Sequence, residues 1–261
     1  MRGRVKLISM KFTVVSLNMW HGQLMANALE WLKSCRADIV MLQEVYNRSD
    51  EALEPRYRTF SELRRVLQYP TVVFAEAGME RRDVGRLPFG NAVLAKWPVR
   101  LNEAILFDTP YNADYVDELA NFPTAPRVLQ RVVLDSPVGE LDVLNVHGPW
   151  DLVGERNSPA RQRMATALAR AAQGVERVVA GGDTNARPVN ECWRPVEQVL
   201  TSVFGDELET TFNMRRKDNP GYATAVVDML FVSRNIQVLE RACVDVDVSD
   251  HLPLTATLTV D

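Results

Sequence analysis

Short runs of Val, Ile and Leu alternate along this chain with stretches in which apolar residues recur every three or four positions. The short runs read as strands: Phe12 to Leu17, Asp38 to Leu42, Thr71 to Phe74, Asn91 to Ala95, Val128 to Leu134, Leu141 to Val146, Arg177 to Ala180, Val226 to Val232, and a last run ending in Leu254 to Val260. Between the first two, Leu24, Ala28, Trp31, Leu32 and Cys35 share one face of a helix. Ser158-Pro159 supplies an N-cap and a first-turn proline, which predicts a helix to about Ala172. A further helix is expected over Glu191 to Val203. The least regular stretches, about Gly78 to Pro88 and Thr109 to Pro126, hold Arg81, Arg82, Arg86 and several prolines and acids. They read equally as functional loops or as surface elaboration. With no internal repeat or linker, the pattern predicts an α/β fold with many strands in one domain over residues 1–261.

Composition narrows the class without naming a chemistry. Hydrophobic residues at 46% and charged residues at 25% are ordinary for a globular chain of 261 residues. No apolar run is long enough to span a bilayer, and the apolar part of the basic opening Met1 to Met10 is too short for a secretory signal. A cytoplasmic protein without membrane contact is therefore expected, and nothing calls for an obligate protein partner. Cys35, Cys192 and Cys243 share no metal-binding spacing and sit among apolar residues, which fits inert thiols. The net charge of −4 argues against a nucleic-acid-coating protein, although a bound cation would change the local field.

The chemistry lies where the strands stop. Val14 to Leu17 ends at Asn18, Ile39 to Leu42 at Gln43-Glu44, and Leu141 to Val146 at His147. Val178 to Ala180 runs into Gly181-Gly182-Asp183-Thr184-Asn185, and Ser249-Asp250-His251 precedes the final strand. Sites in α/β sheets assemble just beyond strand ends. If Glu44, Asp183 and Asp250 converged at about 4 Å, each pair would repel by roughly 4 kcal/mol at an effective dielectric of about 20. Such a cluster needs a proton or a cation. Carboxylates with few histidines and no thiolate suit a hard ion, Mg2+ or Mn2+.

Several motifs together resemble the endonuclease/exonuclease/phosphatase superfamily, which includes pancreatic-type DNases, exonuclease III-like apurinic endonucleases, neutral sphingomyelinases and inositol polyphosphate 5-phosphatases. They are Ser16-Leu17-Asn18, the run Ala37 to Val45, Gly90 to Leu94, Asn145-Val146-His147, Gly182-Asp183-Thr184-Asn185, Val227 to Ser233, and Ser249 to Leu254. The resemblance implies a DNase I-like four-layered α/β sandwich, two packed mixed sheets with helices outside. By the same resemblance, Glu44 is the principal Mg2+ ligand, supported by Asn18 and Asp250. Asp183 and Asn185 position and activate the attacking water, with Asn185 and Asn18 also near the phosphate. His251 donates to a non-bridging oxygen, Asp228 fixes its tautomer, and His147 protonates the leaving oxygen. Arg127 is either a phosphate contact or half of a surface ion pair. Trp20 and His21 form cleft wall or core, and Arg215-Arg216-Lys217 is a solvated loop or a backbone-phosphate contact.

Two departures bear on the branch. Apurinic endonucleases carry an acid where this chain has Trp20 and a tyrosine where it has His147. Gly182 to Asn185, Glu155-Arg156, the segment Arg161 to Met164, and Thr210 to Asn213 have some local similarity to tyrosyl-DNA phosphodiesterases. The expected activity is a metal-dependent phosphodiesterase acting on nucleic acid, a nuclease or DNA-end enzyme. The alternatives are a phosphodiesterase or phosphatase for a small molecule or lipid headgroup, and a non-catalytic scaffold on the same fold.

Overall fold

The computed structural model describes residues 9–150 and 157–260, so the basic opening up to Ile8 and Glu155-Arg156 lie outside the described residues. Twelve strands form two six-stranded mixed sheets. The first contains β1 (Met10–Asn18), β2 (Ile39–Tyr46), β3 (Thr71–Arg82), β4 (Gly85–Ala95), β11 (Ile236–Cys243) and β12 (Leu254–Val260), in the order β11-β12-β1-β2-β4-β3. The second contains β5 (Val99–Leu106), β6 (Val128–Ser136), β7 (Gly139–His147), β8 (Val178–Asp183), β9 (Thr201–Ser202) and β10 (Asp228–Val232), in the order β5-β6-β7-β8-β10-β9. Pairs β1/β2 and β7/β8 are parallel; the other neighbours are antiparallel.

Helices cover both outer faces, giving the expected four layers. Ala28 and Leu32 of α1 (Met25–Cys35) and Leu63 of α2 (Thr59–Leu67) pack on Val15, Leu17, Val40 and Leu42. On the other side, Met164 and Leu168 of α3 (Pro159–Ala172) and Val196 of α4 (Arg194–Glu197) pack on Leu144, Val146 and Ala180. Ser158 caps α3, its hydroxyl accepting from Arg161 N at 3.3 Å. Among the described residues, no helix is long and apolar enough to cross a membrane.

Between the sheets, the two-residue period of each strand produces a gradient. The inward face reads Phe12, Val14, Ser16, Asn18 on β1; Ile39, Met41, Gln43 on β2; and Leu141, Val143, Asn145, His147 on β7. On β8 it reads Val179, Gly181, Asp183, and on β10, traced in reverse, Val232, Leu230, Asp228. Every one of these strands turns from apolar to polar toward the same end of the sandwich.

Buried amides mark the transition. Asn145 Nδ2 donates across the sheets to Leu42 O (3.0 Å) and Ala92 O (3.1 Å), while its Oδ1 accepts from Gln43 Nε2 (2.7 Å). Asn91 Nδ2 donates back to Val128 O and Asn145 O. Asn145→Ala is expected to cost about 3 kcal/mol in urea unfolding, since it strands buried polar groups on both sheets. A loss below about 1 kcal/mol would mean that these bonds do not tie the layers together. Gly182 serves the same approach: at φ +136 it allows β8 to pass so close to β7 that a Cβ would lie 2.0 Å from Val146 O.

Some expectations change. Residues 78–88 are not a loop: β3 and β4 stay paired out to Arg82↔Gly85, with Gly85 turning the hairpin at φ +103. Charged side chains hid the strand pattern there. The helix expected over Glu191 to Val203 is only a 3-10 turn (Glu191–Trp193) followed by α4, and Thr201–Ser202 pairs with β10 instead. The edge strands β5 and β11 and helix α2 carry too many exposed polar positions to show an apolar run. Cys35, Cys192 and Cys243 are free thiols, as expected.

Candidate active site

Strand register brings the polar ends together. Asp183, the last residue of β8, pairs with His147 on β7 and with Asp228 on β10. Across the interface, β1 and β2 end side by side with Asn18 opposite Gln43. Glu44 follows at a β-bulge between Leu42 and Val45 and takes φ +55. Bulges re-aim side chains next to active sites, and a positive φ on glutamate is a local strain that the surrounding fold must hold. Six described non-glycine residues have positive φ; Arg36 and Gln68 end helices, while Trp20, His21, Glu44 and Asn185 all line one cleft.

That cleft, about 300 Å³, also contains Arg127, His147, Asp183, Asp250 and His251. Asp183 lies at its centre. Its Oδ2 accepts from Asn18 Nδ2 (2.9 Å), and its Oδ1 accepts from Asn185 N (3.1 Å). His147 Nε2 stands 3.5 Å from Asp183 Oδ2 and 3.8 Å from Glu44 Oε1. His251 Nδ1 meets Asp228 Oδ2 at 2.8 Å, which leaves Nε2 facing Asp183 at 3.9 Å. Asn185 Nδ2 donates to Gly148 O (3.2 Å), and buried Arg161 donates from Nε to Asn185 O (3.0 Å). Asn18 is itself buried: its Oδ1 accepts from Trp20 N (2.9 Å), so it reaches the cleft through Asp183.

Electrostatics separate the two histidines. Burial, then the charges of Arg127, His21 and His251, hold His147 well below the usual imidazole range, so it is neutral. Arg127 Nη1 lies 2.9 Å from its Nδ1 and 2.7 Å from its Nε2. Burial would lower His251 too, but Asp228 and Asp183 outweigh it and lift the pKa to about 10. Asp183 is raised, first by burial and then, against the pull of His251 and Asn18, by the carboxylates of Asp228 and Glu44. Unlike pKa values on paired titratable groups are the usual signature of divided acid and base roles.

His21, expected as cleft wall or core, lines the site, and Tyr46 and Glu80 join it without having been singled out in the sequence. His21 Nε2 is 3.3 Å from Glu44 Oε2, and its ring stacks on Tyr46 at 5.0 Å. Tyr46 OH donates to the fully buried Glu80 (2.7 Å), which also pairs with Arg82. Tyr46 lies two positions beyond Glu44 on β2, a spacing that could have pointed to it; Glu80 was lost within a charged run read as loop. Phe212 packs edge-on against His251 at 4.7 Å, and Thr211 Oγ1 accepts from Asp228 N at 3.2 Å, so the 210–213 segment braces the Asp228–His251 pair.

The basic run divides. Arg215 and Arg216 pair with Asp245 and Asp247 outside the cleft. Lys217 turns inward: its Nζ meets Asp250 Oδ2 at 2.5 Å and lies 5.1 Å from the Phe212 ring and 5.4 Å from the Tyr222 ring.

Glu44, His147 and Asp183 offer ligand atoms within 4.8 Å of one another, as do Asp183, Asp228 and His251. The first group fits a hard divalent ion: two carboxylates, one with its proton affinity raised by its neighbours, beside a neutral imidazole. Two packed sheets with a carboxylate–histidine cluster at one end match the architecture expected from the sequence motifs. Residues 15–251 match the sequence model of the Endonuclease/Exonuclease/phosphatase family, and the chain belongs to that family. It is similar to an endonuclease/exonuclease/phosphatase from Bacteroides vulgatus (17% identity, TM-score 0.70, covering 97% of this chain and 100% of that one). It is also similar to D. rerio TDP2 complexed with single strand DNA product (17%, 0.66, 95% and 98%). A third similar structure is the human Nocturnin catalytic domain with bound sulfate anion (16%, 0.66, 95% and 94%). At these identities the likeness shows the fold alone. No curated protein sequence matches the chain. Members of the family are hydrolases acting on phosphoester bonds and generally use a divalent metal.

Proposed function

We propose that the protein is a Mg2+- or Mn2+-dependent phosphodiesterase acting at this cleft. The observation that carries the reading is the meeting of Glu44 and Asp183 with one neutral and one cationic histidine. Glu44 would hold the ion, whose role when bound is to neutralise charge on the phosphate. Asn18 and Asp250 complete the ligand set expected from the family. Asp250 would then have to release Lys217, and Asn18 is already committed to Asp183 and Trp20.

The chain's own residues divide the remaining work. Asp183, oriented by Asn18 and by the Asn185 backbone, takes a proton from the attacking water. Asn185, on a left-handed backbone braced by Arg161, presents its amide to a phosphate oxygen. His251, held cationic by Asp228, donates from Nε2 to a non-bridging oxygen as charge builds there. His147, beside Arg127, faces the leaving oxygen, and Arg127 steadies the phosphate.

Lys217 supplies a second cation to the cleft beside Arg127. Lys217→Ala is expected to lower kcat/KM for bis-p-nitrophenyl phosphate about tenfold or more, with partial recovery in Lys217→Arg. Equal rates in all three proteins would remove Lys217 from the site.

The reading is tested by hydrolysis of bis-p-nitrophenyl phosphate with Mg2+, Mn2+ or EDTA. Turnover should require metal and stop on chelation. Silence on this ester, on DNA and on phosphomonoesters, together with no calorimetric Mg2+ binding, would leave a binding scaffold.

A nucleic-acid substrate is the reading the motifs favour, and a small phosphodiester is the second. The second is favoured by one observation: Arg81 and Arg86 both pair with Asp114, and Arg82 pairs with Glu80 and Asp117. No membrane contact is proposed, and a single catalytic domain is taken to span residues 1–261.

A further inference from the structure

Beyond the catalytic cluster, the cleft changes character. Its far wall is formed by Phe89 and Tyr115, 5.8 Å apart, and by Phe122 and Trp150, whose rings meet edge to face at 5.2 Å. Leu119 adds an exposed apolar side chain to the same lining. The wall is a built structure. Tyr115 is buried and held to β3 by an isolated parallel bridge: Tyr115 N donates to Met79 O (3.0 Å), and Arg81 N donates to Tyr115 O (2.7 Å). A 3-10 turn over Leu119–Thr124 then presents Leu119 and Phe122.

Three physical features select the occupant. The whole cleft, catalytic cluster and aromatic wall together, is about 300 Å³, at the lower end of the roughly 300–1,000 Å³ of small-molecule sites. Its far wall is aromatic, the surface on which a flat ring stacks. Arg127 faces His147 at the catalytic cluster, while the other cations in and near the cleft are engaged with acids: Arg81, Arg82 and Arg86 on Asp114, Asp117 and Glu80, Arg215 and Arg216 on Asp245 and Asp247, and Lys217 on Asp250. A polynucleotide gains affinity by giving its flanking phosphates cations in exchange for counterions. Here each such contact would first break an ion pair, on a chain whose net charge is −4.

We propose that the substrate is a small phosphodiester whose retained substituent, opposite the leaving group, carries a flat aromatic ring seated against the Phe89–Tyr115 and Phe122–Trp150 wall, with its phosphate at the catalytic cluster. The inference rests on the phosphodiesterase reading and narrows it. A base at the end of a long strand shares the stacking chemistry but not the size, so the test separates the two.

The experiment measures kcat/KM with Mg2+ for thymidine 5′-(p-nitrophenyl phosphate), methyl p-nitrophenyl phosphate, and single- and double-stranded 20-mers at about 50 and about 200 mM NaCl. Wild type is compared with Phe122→Ala and Trp150→Ala, with circular dichroism and calorimetric Mg2+ affinity as checks on folding and on the metal site. The thymidine diester should exceed the methyl diester about tenfold or more, and each variant should collapse that ratio toward one through KM while Mg2+ affinity holds. The rate on the thymidine diester should change less than about threefold between the two salt concentrations. Faster cleavage of a 20-mer, falling by orders of magnitude with salt, would overturn the inference while sparing the phosphodiesterase. So would a thymidine-to-methyl ratio that survives in both folded variants. No Mg2+ binding and no diester turnover would overturn both.

Discussion

Glu44→Ala is expected to lower kcat/KM for bis-p-nitrophenyl phosphate at least about a thousandfold, equivalent to about 4 kcal/mol of transition-state stabilisation. The same substitution should weaken calorimetric Mg2+ binding. Glu44 sits on a bulge, with φ +55, at the point where the strands of the two sheets converge, and its Oε2 is 3.3 Å from His21 Nε2. Among the described residues, Glu44, His147 and Asp183 form one cluster, and removing Glu44 leaves it a single carboxylate. Because the alanine also relieves repulsion between Glu44 and Asp183, thermal stability should not fall and can rise. Loss of activity through misfolding would appear instead as a lowered Tm. Full activity in a folded Glu44→Ala would exclude it as the ion's holder.

The second large effect concerns the Asp228–His251 pair. His251→Ala is expected to cost about a hundred- to a thousandfold in kcat, the usual loss when a transition-state donor is removed. Asp228→Asn is more informative because the sign can be worked out. In the wild type the folded pKa of His251 is raised to about 10, so the cationic donor is present at neutral pH and is lost as pH rises through that value. Replacing the carboxylate removes the largest raising influence and leaves burial, which favours the neutral ring, opposed only by Asp183 and Asp250. The alkaline limb of the rate profile should therefore move down by about one to three pH units. Stability follows the same sign: the part contributed by this raised pKa is complete below the unfolded histidine value and disappears as pH rises toward 10. An alkaline limb that does not move in Asp228→Asn would show that His251 does not supply the proton-bearing group.

Much of this site could be read in the sequence because its physics is local to each strand. The alternation that buries Phe12 and Val14 also places Ser16 and Asn18 on the same face, and the same holds for Leu141, Val143, Asn145 and His147 on β7. An apolar run that turns polar over its last residues marks a strand entering a site. The register that puts Asp183 between His147 and Asp228 is a relation between strands, and no single strand contains it. The inward turn of Lys217 was equally hidden, because Asp245 and Asp247 draw Arg215 and Arg216 outward from far along the chain. Edge strands β5 and β11 escaped for a different reason. A strand with solvent on one side and no neighbour on one edge need not be apolar, and β5 is exposed along almost its whole length.

The cleft's aromatic end shows the same division. Trp20 could be read as cleft wall, and it is; Phe122 and Trp150 meet only because 3-10 turn and strand end come together in space. Their neighbours in sequence offer no repeating pattern to read.

In the proposed reaction this cleft hydrolyses a phosphoester by attack of water at phosphorus. It is tested most directly by letting the wild-type protein turn over bis-p-nitrophenyl phosphate with Mg2+ in ¹⁸O-labelled water and weighing the products. One labelled oxygen is expected in p-nitrophenyl phosphate and none in p-nitrophenol. Label in the phenol, or no turnover by a protein shown to bind Mg2+, would contradict it.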